Sequence, residues 1–169
     1  MVKAVIYNSN SGFTKQYAYH FALKCNLPIY TIKEAKKNLA KGDEIIYFSW
    51  IFANKIVKLK KVLKYKISYV ACVGMSFYSE ELINTLKEYN NINNLYYLQG
   101  GIRMRELKPS QRILISMVKS SLKKKCNKKI ATKEEEILLD RINNGYERID
   151  LNALDHLIDY YNDNNNLVS

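Results

Sequence analysis

The sequence predicts an α/β domain built on a five-stranded parallel sheet with helices on both faces. Three observations predict it. Short strand-like runs alternate five times with helix-compatible stretches. The middle runs are apolar almost without interruption, as strands buried on both faces are. Turn formers separate the strands from the helices that follow them. Right-handed crossovers turn such an alternation into a parallel sheet, whose ligands sit beyond the carboxyl ends of the strands. At 169 residues the chain is read as one domain, 1–169.

Val2 to Tyr7 is the first strand, and Ser9, Asn10, Ser11 and Gly12 lead from it into a helix from Thr14 to Cys25. Leu27 to Thr31 is the second strand, and Lys33 to Leu39 a brief helix ended near Gly42. Glu44 to Trp50 is the third strand; Ile56, Leu59 and Leu63, with lysines between them, then describe an amphipathic helix. Ile67 to Val73 is the fourth strand, ending at Gly74, and Ser79 begins a helix in which Leu82, Ile83, Leu86 and Tyr89 share a face. Leu95 to Leu98 is the fifth strand. Beyond it, Pro109 to Lys125 has helical spacing at Leu114, Val118 and Leu122. Thr132 with Glu135 has the form of a capping box and Gly145 reads as a stop. Asp150 is placed to cap a last helix through Leu151, Leu154, Leu157, Ile158 and Tyr161, with Asn162 to Ser169 a frayed tail.

Cys25, Cys72 and Cys126 form no C-x-x-C pair and are odd in number, which points to packed thiols in a reducing compartment. With no leader pattern and no apolar stretch of membrane-spanning length, the expected location is cytoplasmic, or peripheral to a membrane. The formal charge is +11, and ten of those net charges lie between Arg103 and Lys133, where eleven Lys or Arg (Lys108 among them) meet the single acid Glu106. Such a block favours an anionic partner: a carboxylate-bearing substrate, a membrane surface or nucleic acid. A solvated helix face is the plain alternative. His20 and His156 have no ligand-spaced Cys, Asp or Glu, so no metal is expected, and no nucleophile-base set is visible.

The turn Ser9-Asn10-Ser11-Gly12-Phe13-Thr14 alternates hydroxyls with backbone N–H groups at a helix start, where the dipole and unpaired donors favour a dianion. Neither Gly-x-x-x-x-Gly-Lys-Ser/Thr nor Gly-x-Gly-x-x-Gly is present. A serine-rich helix cap would look similar; the setting directly after the first strand favours phosphate. At Ser9, Ser11, Gly12 and Thr14 the chain resembles the flavodoxin family, whose signature here is Ser/Thr-x-Ser/Thr-Gly-x-Thr. The resemblance implies a three-layer flavodoxin-like fold with strand order 2-1-3-4-5 and bound flavin mononucleotide (FMN). It also implies that the loops after strands three and four wall the isoalloxazine ring. Those loops are Ser49-Trp50-Ile51-Phe52-Ala53-Asn54, with Trp50 the stacking candidate, and Gly74-Met75-Ser76-Phe77-Tyr78-Ser79, from which Gly74, Met75, Ser76 and Tyr78 are assigned contacts. The flavin carries the chemistry, so no catalytic side chain is assigned.

Flavodoxins are generally acidic electron carriers, whereas this chain is basic and carries a helical insertion of roughly thirty residues, 103–131, after strand five. From Gly100 to Lys119 it is similar to flavodoxin-domain proteins related to the quinone-dependent protoporphyrinogen oxidase of bacteria. That similarity implies oxidation of a porphyrinogen with a quinone as acceptor, and Arg103, Arg105 and Arg112 as contacts for substrate propionates or lipid headgroups. Three readings follow: an FMN-dependent oxidoreductase or electron carrier with a redox protein or small molecule as partner; a protoporphyrinogen-oxidase-like dehydrogenase; and a flavin-free module that binds an anionic surface, nucleic acid being the least favoured of the partners.

Overall fold

The computed structural model describes residues 1–107 and 109–166. Lys108 of the basic block and residues 167–169 of the tail lie outside the described residues. Five strands run parallel in the spatial order β2 (Ile29–Thr31), β1 (Ala4–Asn8), β3 (Glu44–Phe52), β5 (Lys66–Gly74) and β6 (Leu95–Gln99). This is the expected order of the parallel strands. The sheet differs by one addition, the two-residue β4 (Lys55–Ile56), antiparallel to the end of β3 through Ile51 and Ile56.

Strand alternation sorts the core into two layers. Val5, Ile46, Phe48, Ala71 and Leu98 pack with α1 (Phe13–Lys24) and α6 (Asp155–Asn166). Ile6, Ile45, Tyr47, Val70 and Cys72 pack on the other face with α2 (Ile32–Asn38) and α3 (Glu80–Asn90). In α1 the buried positions Phe13, Tyr17, Ala18, Phe21 and Ala22 form one stripe. The Tyr17 hydroxyl donates to Gln99 O (2.7 Å) and accepts from Asp150 N–H (2.9 Å), tying α1 to the end of β6 and to the approach to α6.

A third cluster belongs to the segment between β6 and α6. Here α4 (Pro109–Asn127) and α5 (Lys133–Asn144) enclose Ile102, Leu107, Ile115, Leu122 and Ile142, packed onto Phe52 and Met75 beside the ends of β3 and β5. The Thr132–Glu135 capping box forms and Gly145 (φ 75°) ends α5. The interposed segment therefore includes α5 and extends past residue 131.

Several expectations fail, each for a local reason. No α-helix forms over 56–63. The buried residues there are Ile56, Leu59, Val62 and Tyr65, a spacing of three that matches a 3₁₀ turn, and one forms at Leu59–Lys61 after Lys58 adopts φ 60°. Leu63 is 60% exposed. In α3 the place given to Tyr89 goes to Asn90, which accepts from Ile56 N–H (2.9 Å) and donates to Asn54 O (2.7 Å). In α4, Ile115 rather than Leu114 is buried. Asp150 precedes a 3₁₀ turn, Leu151–Leu154, with no side-chain cap bond. The tail is helical through Asn166 rather than frayed from Asn162.

Candidate functional site

Beyond the carboxyl ends of β1, β3 and β5 the connecting turns meet in a mainly apolar cleft. Asn10, Ser11, Phe13 and Thr14 line it from the first turn, Trp50, Ile51 and Phe52 from the end of β3, and Gly74 and Met75 from the end of β5. All three segments singled out in the sequence contribute.

The first turn is not an ordinary serine cap. Gly12, at φ 86°, is the N-cap of α1, and no side chain caps the helix; a residue with a Cβ would pay about 1–2 kcal/mol for that conformation. The first intrahelical bond runs from Gln16 N–H to Gly12 O (3.1 Å), so the N–H groups of Phe13, Thr14 and Lys15 precede it, at the positive end of the helix dipole. Ser9 Oγ is buried without a hydrogen-bond partner, and Thr14, five residues on, is buried on the first turn of the helix. An unpaired buried hydroxyl costs about 1–3 kcal/mol, a cost that a phosphate oxygen would relieve. Ser9 and Gly12 line a second, polar cleft together with Lys15, Lys33, Lys36, Lys58 and Lys61. No carboxylate among the described residues pairs with these lysines.

At β3 the assigned residues divide. The strand continues through Phe52, and Ser49 lies in it with its side chain turned away from the cleft, wholly buried, its Oγ donating to Val57 O (2.8 Å) and accepting from Asn8 Nδ2 (3.4 Å). Ala53 and Asn54 form the tight β3–β4 turn at φ 46° and 61°, outside the cleft. Trp50 and Phe52, two residues apart, meet edge to face with ring centroids 6.4 Å apart and are half-buried, an aromatic wall. After β5, Ser76 and Tyr78 also lie outside the cleft. Ser76 O accepts from the Tyr97 hydroxyl (2.7 Å) and Gln99 Nε2 (3.2 Å), and Tyr78 is 67% exposed. Burial holds the Tyr97 phenol well above its ordinary pKa, which keeps it a donor to that carbonyl.

Sequence reasoning missed the wall supplied by the segment after β6. Gly101, Ile102, Leu107, Gln111, Leu114 and Ile115 line the same cleft. The available signal was the run Ile113-Leu114-Ile115 inside an otherwise basic stretch. Gly101 permits the approach: a Cβ there would stand 2.0 Å from Tyr146 O and 2.7 Å from Phe13 Cζ. Ile102 and Tyr146 exchange backbone hydrogen bonds of 2.7 and 3.3 Å. Arg141, also missed, is buried between the rings of Phe77 (4.3 Å) and Tyr146 (4.1 Å) and donates to Met75 O, which holds the turn after β5.

Of the three arginines assigned to a substrate or partner, two make side-chain bonds within the chain. Arg103 forms a bidentate pair with Glu147 (2.8 and 2.9 Å). Arg112 donates to Leu107 O (3.0 Å) and Arg105 O (3.1 Å), bracing the start of α4. The Arg105 side chain is exposed. Among the described residues no group of three His, Cys, Asp or Glu is placed to hold a metal ion, and no helix is long and apolar enough to cross a membrane.

A family model described as a flavodoxin domain matches residues 4–129, about three quarters of the chain. The chain belongs to the flavodoxin-domain family. The match spans the turn from Ser9 to Thr14, both aromatic-lined turns and all of α4. Among solved structures, a flavodoxin from the domain Archaea is similar at 18% identity over 69% of this chain and 95% of that one, with a TM-score of 0.33. No curated protein matches the chain. Membership of the flavodoxin-domain family points to a flavin as the class of ligand.

Proposed function

We propose that this flavodoxin-domain protein binds FMN, with the phosphate in the Ser9–Thr14 turn and the ring beside Trp50 and Phe52, and that it serves as an electron carrier or FMN-dependent oxidoreductase. The observation that carries the reading is Ser9 Oγ, buried and without a partner next to the uncapped start of α1. Native proteins satisfy buried polar groups almost without exception, so an orphan hydroxyl at a helix N-terminus marks a place built for an acceptor.

In this reading the N–H groups of Phe13, Thr14 and Lys15 and the hydroxyls of Ser9, Ser11 and Thr14 bind the phosphate. The helix dipole and the nearby lysines balance its charge. Trp50, Phe52, Leu114 and Ile115 exclude water from the ring, and Arg141 fixes the Met75 turn. FMN when bound supplies the electron-transfer chemistry; the chain supplies binding, orientation and electrostatics. The basic stretch from Arg103 to Lys133 favours an anionic redox partner or surface.

The decisive test is to mix purified protein with FMN, desalt, and record the flavin absorption. Retention near one flavin per chain supports the reading, and no retention overturns it. Replacing Ser11 and Thr14 together with Ala is expected to weaken FMN binding by about tenfold or more; an unchanged affinity would move the phosphate out of this turn.

A further inference from the structure

Resting on that reading, we infer that Arg103 is itself a phosphate ligand, carried to the turn by the segment after β6, and that it makes the site select a phosphorylated flavin over one that lacks phosphate. The similarity of the segment after β6 implies a substrate or partner contact for Arg103. Its position offers a nearer role. Nη1 lies 3.5 Å from the point where a Cβ on Gly12 would stand, and the guanidinium carbon is 4.7 Å from the centroid of the Phe13 ring. Gly12 and Phe13 are the cap and first residue of α1. The cation therefore lies over the side chain of the first residue of the helix whose start offers its N–H groups.

The rest of the side chain is held. Nε and Nη2 are committed to Glu147 at 2.8 and 2.9 Å, and Phe13 sets the plane by stacking. Nη1 has a long contact of 3.5 Å with Glu106, a carboxylate whose side chain is 48% exposed. A guanidinium carries five N–H donors in a rigid fork. Two are spent on Glu147 and at most one on Glu106, so Nη1 keeps a donor for an anion in the turn while its anchor stays in place. The Arg103 side chain is 28% exposed, and such partial withdrawal from water strengthens a charge-assisted bond. Gly12 thereby has two roles: it adopts the left-handed conformation, and its missing Cβ leaves the space beside Nη1 open.

Fluorescence titration of the wild type, Arg103→Gln and Arg103→Lys with FMN and with riboflavin tests this. Arg103→Gln is expected to lose about tenfold or more in FMN affinity with riboflavin binding unchanged, and Arg103→Lys to recover part of the loss. An unchanged FMN affinity, or equal losses for both flavins, overturns the assignment. Should Arg103→Gln fail to fold, Arg103→Lys carries the same comparison with a smaller FMN-specific loss. If the wild type binds neither flavin, the flavin reading falls and Arg103 is judged with inorganic phosphate instead. Phosphate should then raise the wild-type melting temperature, and the same rise in Arg103→Gln overturns the inference.

Discussion

At the first turn the polar groups stand on the edge of a rigid sheet, whereas the wall opposite in origin, from the segment after β6, is held to that sheet by a handful of contacts. Below the first turn, Asn8 and Ser49 bond to each other across β1 and β3, and both are buried. The α4–α5 pair reaches the sheet through the Arg141 bond to Met75 O and apolar contact with Phe52 and Met75, while the Ile102–Tyr146 bridge ties together the two ends of the segment. One end of the site is set by backbone geometry and the other by docking. On the proposed reading, affinity for the phosphate and affinity for the ring should therefore respond to different substitutions.

The largest expected effect is at the docking point. In Gly101→Ala the new Cβ would meet the Tyr146 carbonyl, which is backbone and is fixed by its bond from Ile102 N–H. We expect a stability loss of about 3 kcal/mol or more in urea unfolding. A loss under about 1 kcal/mol would mean that the segment after β6 is not anchored there.

Arg141→Met should cost less, about 2 kcal/mol, because a stacked cation and a charge-assisted bond to Met75 O are lost while the volume is roughly kept. This substitution acts on the ring end. It should weaken FMN and riboflavin alike in the same titration, in contrast to Arg103→Gln. A loss confined to FMN would undo the division between the two ends.

These two residues also mark the limit of what a single sequence shows. The parallel sheet was legible because strands buried on both faces leave long apolar runs, and Gly12 was legible because its neighbours are turn formers and hydroxyls. The 3₁₀ connection over 56–65 was not, since a spacing of three and a spacing of 3.6 coincide for the first turn and part only at Val62 against Leu63. Ser49 was misplaced because β3 runs past Trp50, and strand ends depend on pairing partners that sequence does not name. Arg141 looked like any helical arginine; its burial comes from Phe77 and Tyr146, brought to it from both sides of α5 along the chain. Arg103 was seen as a charge, but its partner Glu147 lies 44 residues away.

At the first turn, Gly12→Ala should cost about 1–2 kcal/mol, since φ 86° is a left-handed conformation that a Cβ resists. Its methyl would also touch Arg103 Nη1 at 3.5 Å. FMN affinity is expected to fall by more than riboflavin affinity in parallel titrations. Equal falls would place the turn's strain, rather than its hold on phosphate, at the root of the loss.

The smallest effect lies at the other end of β3 and serves as the control for both. Glu44 begins that strand, far along it from Trp50 and Phe52. The Ser68 hydroxyl, donating at 2.5 Å, pulls its carboxyl down to about 2 from the ordinary 4.5; partial burial opposes this, and Lys66 at 3.0 Å adds to it. A carboxylate with a folded pKa below its unfolded one stabilises the fold above the unfolded value and loses that contribution as pH falls through the folded value. Ser68→Ala should therefore be less stable than wild type by about 1 kcal/mol at neutral pH. The gap should begin to close below about pH 4.5 and vanish near pH 2, read as urea midpoints across that range. FMN affinity at neutral pH should not change. A Ser68→Ala protein that lost FMN would show that the amino ends of the strands are coupled to the cleft, and the separation of phosphate turn from docked wall would then describe a sheet less rigid than its buried strands imply.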